Sequence, residues 1–504
     1  MALARLRQRR PTVVAWGCAL VLAGCASGPD FERPAAPSAA NYTPATVTDR
    51  TASAPVPLGA AQRLDPGAEI EEQWWRSLGS PRLDALVERA QRNSPTLASA
   101  RATLAQAREL HAARAGSSLY PQVEGGLSAQ RQRASPTTFG SSAGAQEFGV
   151  YNASIAVSYQ LDLAGGNRRA LEALAARADY RRYELDAAKL ALSGNVAVTA
   201  IAQARLADQI AYTRDIVTAQ EEQFHLAGQR VRLGHAAPNE ALAVQAQLEK
   251  TRADLHLLRK EHQHKQHLLA TLVGAEPGEG GLPQFTLDDF ALPAVLPILL
   301  PSELVRRRPD IRGAEALLKA ANAEYGVAVA ALYPQVTLSA NAGSQALTAA
   351  ALFGSGSAVW GLVAQLTQPL FKPGLAAEKR AALAAFDAAA ANYQSVVLDS
   401  LRGVADVLRS VEQDAQALQS QATSAAAAHA SLRLAQQRHV LGAASYLEVL
   451  DAFREAQQSS MLLAAAQARR LQDTVSLYVA LGGAPAEELQ RPSSQGPRSR
   501  ARQL

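Results

Sequence analysis

The chain has 504 residues, 50 Lys and Arg against 45 Asp and Glu for a net charge of +5, and a 48% hydrophobic share. A chain this apolar and this evenly charged folds rather than staying disordered. Its basic residues are interleaved with Glu, Asp and Ala and form no stripe among stacking aromatics, so no nucleic acid is expected as a partner. The 2 cysteines make no disulfide framework.

At the amino terminus Arg5, Arg7, Arg9 and Arg10 precede an almost uncharged run over 12–24, the pattern of a signal peptide spanning 1–24. That run is too short for a bilayer, which needs ~20 apolar residues. Leu22-Ala23-Gly24-Cys25 resembles the bacterial lipoprotein signal box. The resemblance implies cleavage before Cys25, a diacylglyceryl thioether on its sulfur and an N-acyl chain; no other cofactor is expected. Ala26 and Ser27 follow with no Asp in second position, which by the same resemblance implies export to the outer membrane. Several acyl chains anchor firmly where one binds weakly. Residues 25–72 then form a lipid-anchored linker.

From residue 73 onward one plan is used twice. Leu119-Tyr120-Pro121-Gln122-Val123 returns as Leu332-Tyr333-Pro334-Gln335-Val336, and Ser94-Pro95 matches Arg308-Pro309. The Leu233-Gly234 pair answers Leu441-Gly442, and Glu240 falls against Glu448 at the same spacing. Such ordered self-similarity marks two repeats, over 73–275 and 302–485. A Pro- and Gly-rich linker over 276–301 joins them, and a basic tail over 486–504 follows.

Within each repeat the hydrophobic period changes from helix to strand and back. Alternation predicts strands over about 118–131, 149–163, 332–342 and 359–370, each with one apolar and one polar face. A soluble antiparallel sheet gives the same alternation. Length favours a membrane, because roughly ten residues at ~3.3 Å rise and ~45° tilt cover the ~25 Å apolar band of an outer-membrane barrel. No later segment is expected to be a transmembrane helix, so a crossing must be made by strands. Four strands cannot close a barrel whose smallest kind has about eight. The sheet must therefore close with other copies, two or three protomers in all.

Helical patterns over 168–232 and 375–441 run about 65 residues, or about 100 Å each. Val397, Leu401, Val404, Leu408, Val411, Ala415, Leu418 and Ala422 keep alternating spacings of four and three, the mark of a left-handed supercoil. Leu171, Leu174, Ala178, Leu185, Ala188 and Leu192 do so less regularly. The fold class is therefore mixed α and β, a long-helix bundle with a four-strand sheet.

Trp74-Trp75-Arg76, Pro81-Arg82-Leu83-Asp84-Ala85-Leu86-Val87, Leu300-Pro301-Ser302-Glu303-Leu304 and Arg307-Arg308-Pro309-Asp310-Ile311-Arg312 resemble the outer-membrane efflux lipoproteins of the TolC family. The resemblance covers about 74–483. It implies a homotrimer, with a twelve-stranded barrel in outer-membrane lipid joined to a periplasmic helical barrel. The implied partners are a periplasmic adaptor and an inner-membrane pump of the RND type. The implied function is a passive exit duct for drugs or other small solutes. A duct for secreted polypeptide shares the fold, and a periplasmic coiled-coil adaptor or scaffold lipoprotein is the rival of another class.

In this family the helical tube narrows at its periplasmic end, which the resemblance places at the turns of Gly234 and Gly442. Glu448 and Asp451, three apart, share a helix face, and with Glu240 they are the candidate pore gate, a ring of carboxylates that sets cation preference. The alternative is solvated acids favouring a helix N-terminus. Some relatives close this end with a Tyr and an Arg where this chain has His439 and Ala444. No catalytic site is expected: the chain has no P-loop, no His-Glu-x-x-His and no Gly-x-Ser-x-Gly. His262, His264 and His267, with His256 nearby, lack the i,i+4 pair that grips zinc on a helix, so no metal is expected.

Overall fold

The computed structural model describes residues 27–44, 48–134 and 145–483. The signal segment, Cys25, the tail and most of the first strand-to-strand loop lie outside them. The chain divides into two compact units. One comprises Met1–Pro34, Thr103–Arg182 and Gly313–Tyr393, the other Ala35–Ala102, Tyr183–Arg312 and Gln394–Leu504.

In chain order the elements are β1 (Arg63–Asp65), α1 (Pro81–Asn93), α2 (Pro95–Leu119), β2 (Gln122–Ala134), β3 (Gln146–Leu161), α3 (Gly166–Arg232) and α4 (Pro238–Leu272). Then come β4 (Val295–Pro297), α5 (Pro301–Arg307), α6 (Pro309–Ala330), β5 (Gln335–Ala346), β6 (Ala358–Thr367), α7 (Pro373–Val440) and α8 (Tyr446–Ala480). The succession of helix, two strands, long helix and shorter helix occurs twice.

The first unit holds a four-stranded antiparallel sheet in the order β2-β3-β5-β6. Tyr120-Pro121 and Tyr333-Pro334 are the elbows that feed it. Proline has no N–H to give a ladder, and β2 and β5 each begin at the next residue. Three or four residues expected at the start of each strand therefore belong to the preceding helix or its end. β3 stops at Leu161 rather than 163 because Asp162 turns to the next helix, its carboxylate accepting the Asn167 and Arg168 N–H groups at 2.9 Å. The far ends run longer than alternation predicts. Arg131 pairs with Glu147 at 3.1 Å across the β2–β3 ladder, and Gly343 lies so near β3 that a Cβ would stand 2.2 Å from the Ala153 carbonyl oxygen.

In the second unit the 4/3 seam of α7 is core. Val397, Val404, Leu408, Val411, Ala415, Leu418 and Ala422 are buried, while Leu401 is half-buried. In α3 Leu185 and Leu192 are buried, whereas Leu171, Leu174, Ala178 and Ala188 are half-buried. One stretch of α3 does have the length and apolarity to cross a membrane, against the sequence expectation, but 56% of it is buried inside the protein. Its apolarity is that of a core helix: Val196, Ala197, Ala200 and Ile201 are fully enclosed. α3 meets α8 closely at Gly194, where a Cβ would come 2.7 Å from a Val479 methyl.

The same unit carries a strap and the tryptophan pair. β1 pairs in parallel with β4. Arg470, 2% exposed, donates from α8 to the carbonyls of Leu58 and Ala60 at 3.2 and 3.0 Å. It also donates to Thr51 Oγ1 and Gln62 Oε1, both at 3.2 Å. Trp74 stacks on Tyr478 with centroids 5.3 Å apart and meets Trp75 edge-on at 5.8 Å.

Candidate functional site

In the first unit the functional surface is the sheet itself. Directly paired residues share a face, so the register sorts side chains across all four strands. Val123 opposes Val157, Val157 opposes Ala340, and Ala340 opposes Leu362. The next row is Gly125, Ile155, Ala342 and Trp360. Tyr159, Leu338 and Ala364 continue the face toward the elbows. The opposite face carries Glu124, Ala156, Asn341 and Gly361 in one row, and Gln160, Thr337 and Gln365 in another.

The apolar face is bare. Leu127 is 79% exposed, Trp360 82% and Leu362 75%. Water does not tolerate an apolar patch of that kind on an isolated soluble domain, whereas hydrocarbon does. Among the described residues the edge strands β2 and β6 each pair on one side only. In lipid each unpaired backbone group costs several kcal/mol, so this sheet is complete only when both edges find a partner.

In the second unit the two helix turns repeat each other atom for atom. Gly234 has φ 73° and Gly442 φ 75°, the left-handed backbone that glycine adopts without a Cβ penalty. The Gly234 N–H donates to Val231 O at 3.0 Å and His235 N–H to Arg230 O at 2.8 Å. At the other turn Gly442 N–H donates to His439 O at 2.9 Å and Ala443 N–H to Arg438 O at 2.8 Å. Both are Schellman closures, which satisfy carbonyls that a helix end leaves open.

Each turn is crossed by the same ion pair. Arg230 lies 3.9 Å from Glu240, and Arg438 lies 3.9 Å from Glu448. Glu448 also closes a capping box: its N–H donates to Ser445 Oγ at 3.2 Å, and its Oε1 accepts the Ser445 N–H at 3.4 Å. Ala237 stands at the corresponding place before α4, so Glu240 has no such cap. Exposed pairs of this sort contribute at most ~1 kcal/mol each.

Asp451 takes a different partner. Its Oδ1 accepts from Gln223 Nε2 of α3 at 3.4 Å. One turn away the Tyr446 hydroxyl donates to the Glu222 carboxylate, and that bond holds the phenol above its ordinary pKa. The His439 ring stands 5.4 Å from the Tyr446 ring, and His439 Nδ1–H donates to the Ala444 carbonyl at 3.0 Å. Glu222, His439 and Tyr446 line a cleft of about 470 Å³ together with Asp215, Val449 and Phe453. Sequence spacing singles out Asp451 but not Tyr446, Glu222 or Gln223. The only trace is the acid and amide run Glu221-Glu222-Gln223, and no periodicity relates it to residues more than two hundred positions later.

Elsewhere in this unit two carboxylates have raised pKa values. Burial first, and then the hydrogen bond and charge of Asp414, push Asp473 up to about 8. Burial and the charge of Asp288 raise Asp208 to about 6. Burial also lowers the pKa of His262. Among the described residues no group of three or more His, Cys, Asp or Glu side chains is arranged to hold a metal ion.

Comparison with known proteins gives a consistent picture. The sequence profile of the outer membrane efflux protein family matches residues 86–275 and 300–483. The chain is 32% identical to the pyoverdine export outer membrane protein OpmQ of Pseudomonas putida over 82% of this chain and 88% of the relative. It is 30% identical to the toluene efflux pump outer membrane protein TtgC of Pseudomonas putida over 95% and 96%. Among solved structures, the outer-membrane channel OprN superposes with a TM-score of 0.79 at 30% identity, covering 91% of this chain and 99% of that one.

Proposed function

Because the chain belongs to the outer membrane efflux protein family, we propose that it is the outer-membrane exit duct of a tripartite efflux system, assembled as a homotrimer. Three copies pair β2 of one with β6 of the next and close twelve strands. The apolar rows then face lipid and the polar rows line a water-filled lumen. A periplasmic adaptor and an inner-membrane pump of the RND type supply the energy. The duct conducts drugs or other small solutes passively and performs no chemistry. Its one covalent addition is the lipid on Cys25. The observation that carries this reading is the sheet: one face that is mainly apolar, a polar face and, among the described residues, two open edges. A soluble coiled-coil scaffold has no use for such a sheet.

The helix turns are the gate. Glu448, Asp451 and Glu240 form the acidic ring, and the contacts of Tyr446 with Glu222 and Asp451 with Gln223 tie α8 to α3 in the resting state. Relatives export pyoverdine and toluene, and solutes of that size are the cargo proposed here. Deleting the gene is expected to raise sensitivity to several members of a panel of antibiotics, solvents and siderophores, with restoration by the intact gene. A deletion strain that accumulates none of them contradicts the proposal.

A further inference from the structure

The segment that follows Cys25 is not a loose tether. Ser27 N–H donates to the carbonyl of Ala164, in the elbow between β3 and α3, at 3.0 Å. Arg169 in the first turn of α3, its side chain 6% exposed, reaches back over the segment. Its Nε donates to Ser27 O at 3.2 Å, and its Nη2 donates to Gly28 O at 3.3 Å and to Asp30 Oδ1 at 2.7 Å. The remaining Nη1 is held by Glu172 at 2.8 Å, which fixes the fork.

α6 supplies the other wall. Asn322, 4% exposed, donates to Pro29 O at 3.1 Å, and Glu315 pairs with Arg33 at 2.5 Å. The fit is close: a Cβ on Gly28, whose φ is +82°, would stand 2.9 Å from Gly326 Cα. A Cβ on Gly326 would stand 2.9 Å from both Arg169 Cγ and Ser27 O. A buried guanidinium whose donors go to main-chain carbonyls of a distant segment is a recognition site for that segment, because water would serve those carbonyls equally well if the segment were free.

We propose that Arg169, Asn322 and Gly326 form a docking socket whose ligand is the chain's own Ser27–Arg33 segment, and that the socket fixes where the lipid on Cys25 enters the membrane. This rests on the acylation of Cys25 given under the proposed function. Two residues span at most about 7 Å, so a lipid carried two positions before Ser27 would be tethered within that reach of the β3–α3 elbow of its own protomer. The lipid then reinforces the seating of the sheet instead of trailing from a flexible leash.

Hydrogen exchange read by mass spectrometry on the full acylated protein in detergent tests this. The amides of Ser27–Arg33 are expected to exchange about tenfold or more slowly than in the free peptide. Arg169→Ala is expected to remove that protection while β2 and β3 keep theirs. Gly326→Val, which fills the socket and spares the arginine, is expected to do the same and serves where Arg169→Ala fails to assemble. Peptide-like exchange in the unaltered protein, or protection that survives both substitutions, overturns the socket. The mass of the terminal peptide reports acylation separately. A peptide without acyl groups that is still protected sinks the lipid reading and leaves the socket supported.

Discussion

The Asp473 carboxyl on α8, buried and beside Asp414 of α7, has a raised pKa, and this gives stability a definite pH dependence. The folded-state pKa stands at about 8, above that of an unfolded aspartate at ~3.9. The stability this pair contributes is therefore complete below pH 4 and declines as pH rises toward 8, because only the unfolded chain can ionise freely over that interval. Asp473→Asn is expected to raise the unfolding temperature at pH 8 and leave it nearly unchanged at pH 4, measured by circular dichroism on the assembled protein. A gain of the same size at both values contradicts the assignment. Arg470 is the other residue of this kind, spending its guanidinium on Thr51, Leu58, Ala60 and Gln62. Neither role is legible in the sequence. An acid or an arginine in a helix reads as solvated until the segment that lies over it, distant in sequence, is known.

Elements were more readable than residues because their signals are periodic and local. The 4/3 run of α7 predicts the buried seam with one exception, Leu401, and alternation predicts which side chains share a sheet face. What alternation leaves out is where ladders end. Those limits are set by cross-strand partners such as Arg131 with Glu147, by the Tyr-Pro-Gln elbows and by the cap that Asp162 gives α3. The two-faced sheet predicts an asymmetric response to charge. Ile155→Arg, in the middle of the apolar rows, is expected to cost about 2–4 kcal/mol of folding free energy in vesicles. Ser128→Arg on the opposite face is expected to cost under ~0.5 kcal/mol. Equal costs would place both faces in the same solvent.

The helix turns were legible through Gly234 and Gly442, and the acids through their three-residue spacing. The link from α8 to α3 was not, since it joins two helices that no sequence rule brings together. Glu448 closes a helix cap and is also proposed for the acidic ring, so its removal alone is ambiguous. Glu448→Ala combined with Asp451→Ala is expected to lower cation over anion selectivity and to raise open probability in planar bilayers, the first from lost charge and the second from the lost Gln223 contact. Unchanged conductance and selectivity would reduce these acids to helix caps.

At the scale of the molecule the account depends on completion by other copies. One protomer offers four strands with an unpaired edge on each side, an arrangement lipid does not accept. The repeated order of elements gives each protomer two hairpins and two pairs of long helices, and the proposed trimer would build its walls from three such sets. Mass measurement of the purified protein under native conditions, with the same sample then added to a planar lipid film, tests this most directly. The account predicts a three-copy particle that resists detergent and conducts ions in discrete steps. A stable single-copy particle that leaves the film silent would contradict it.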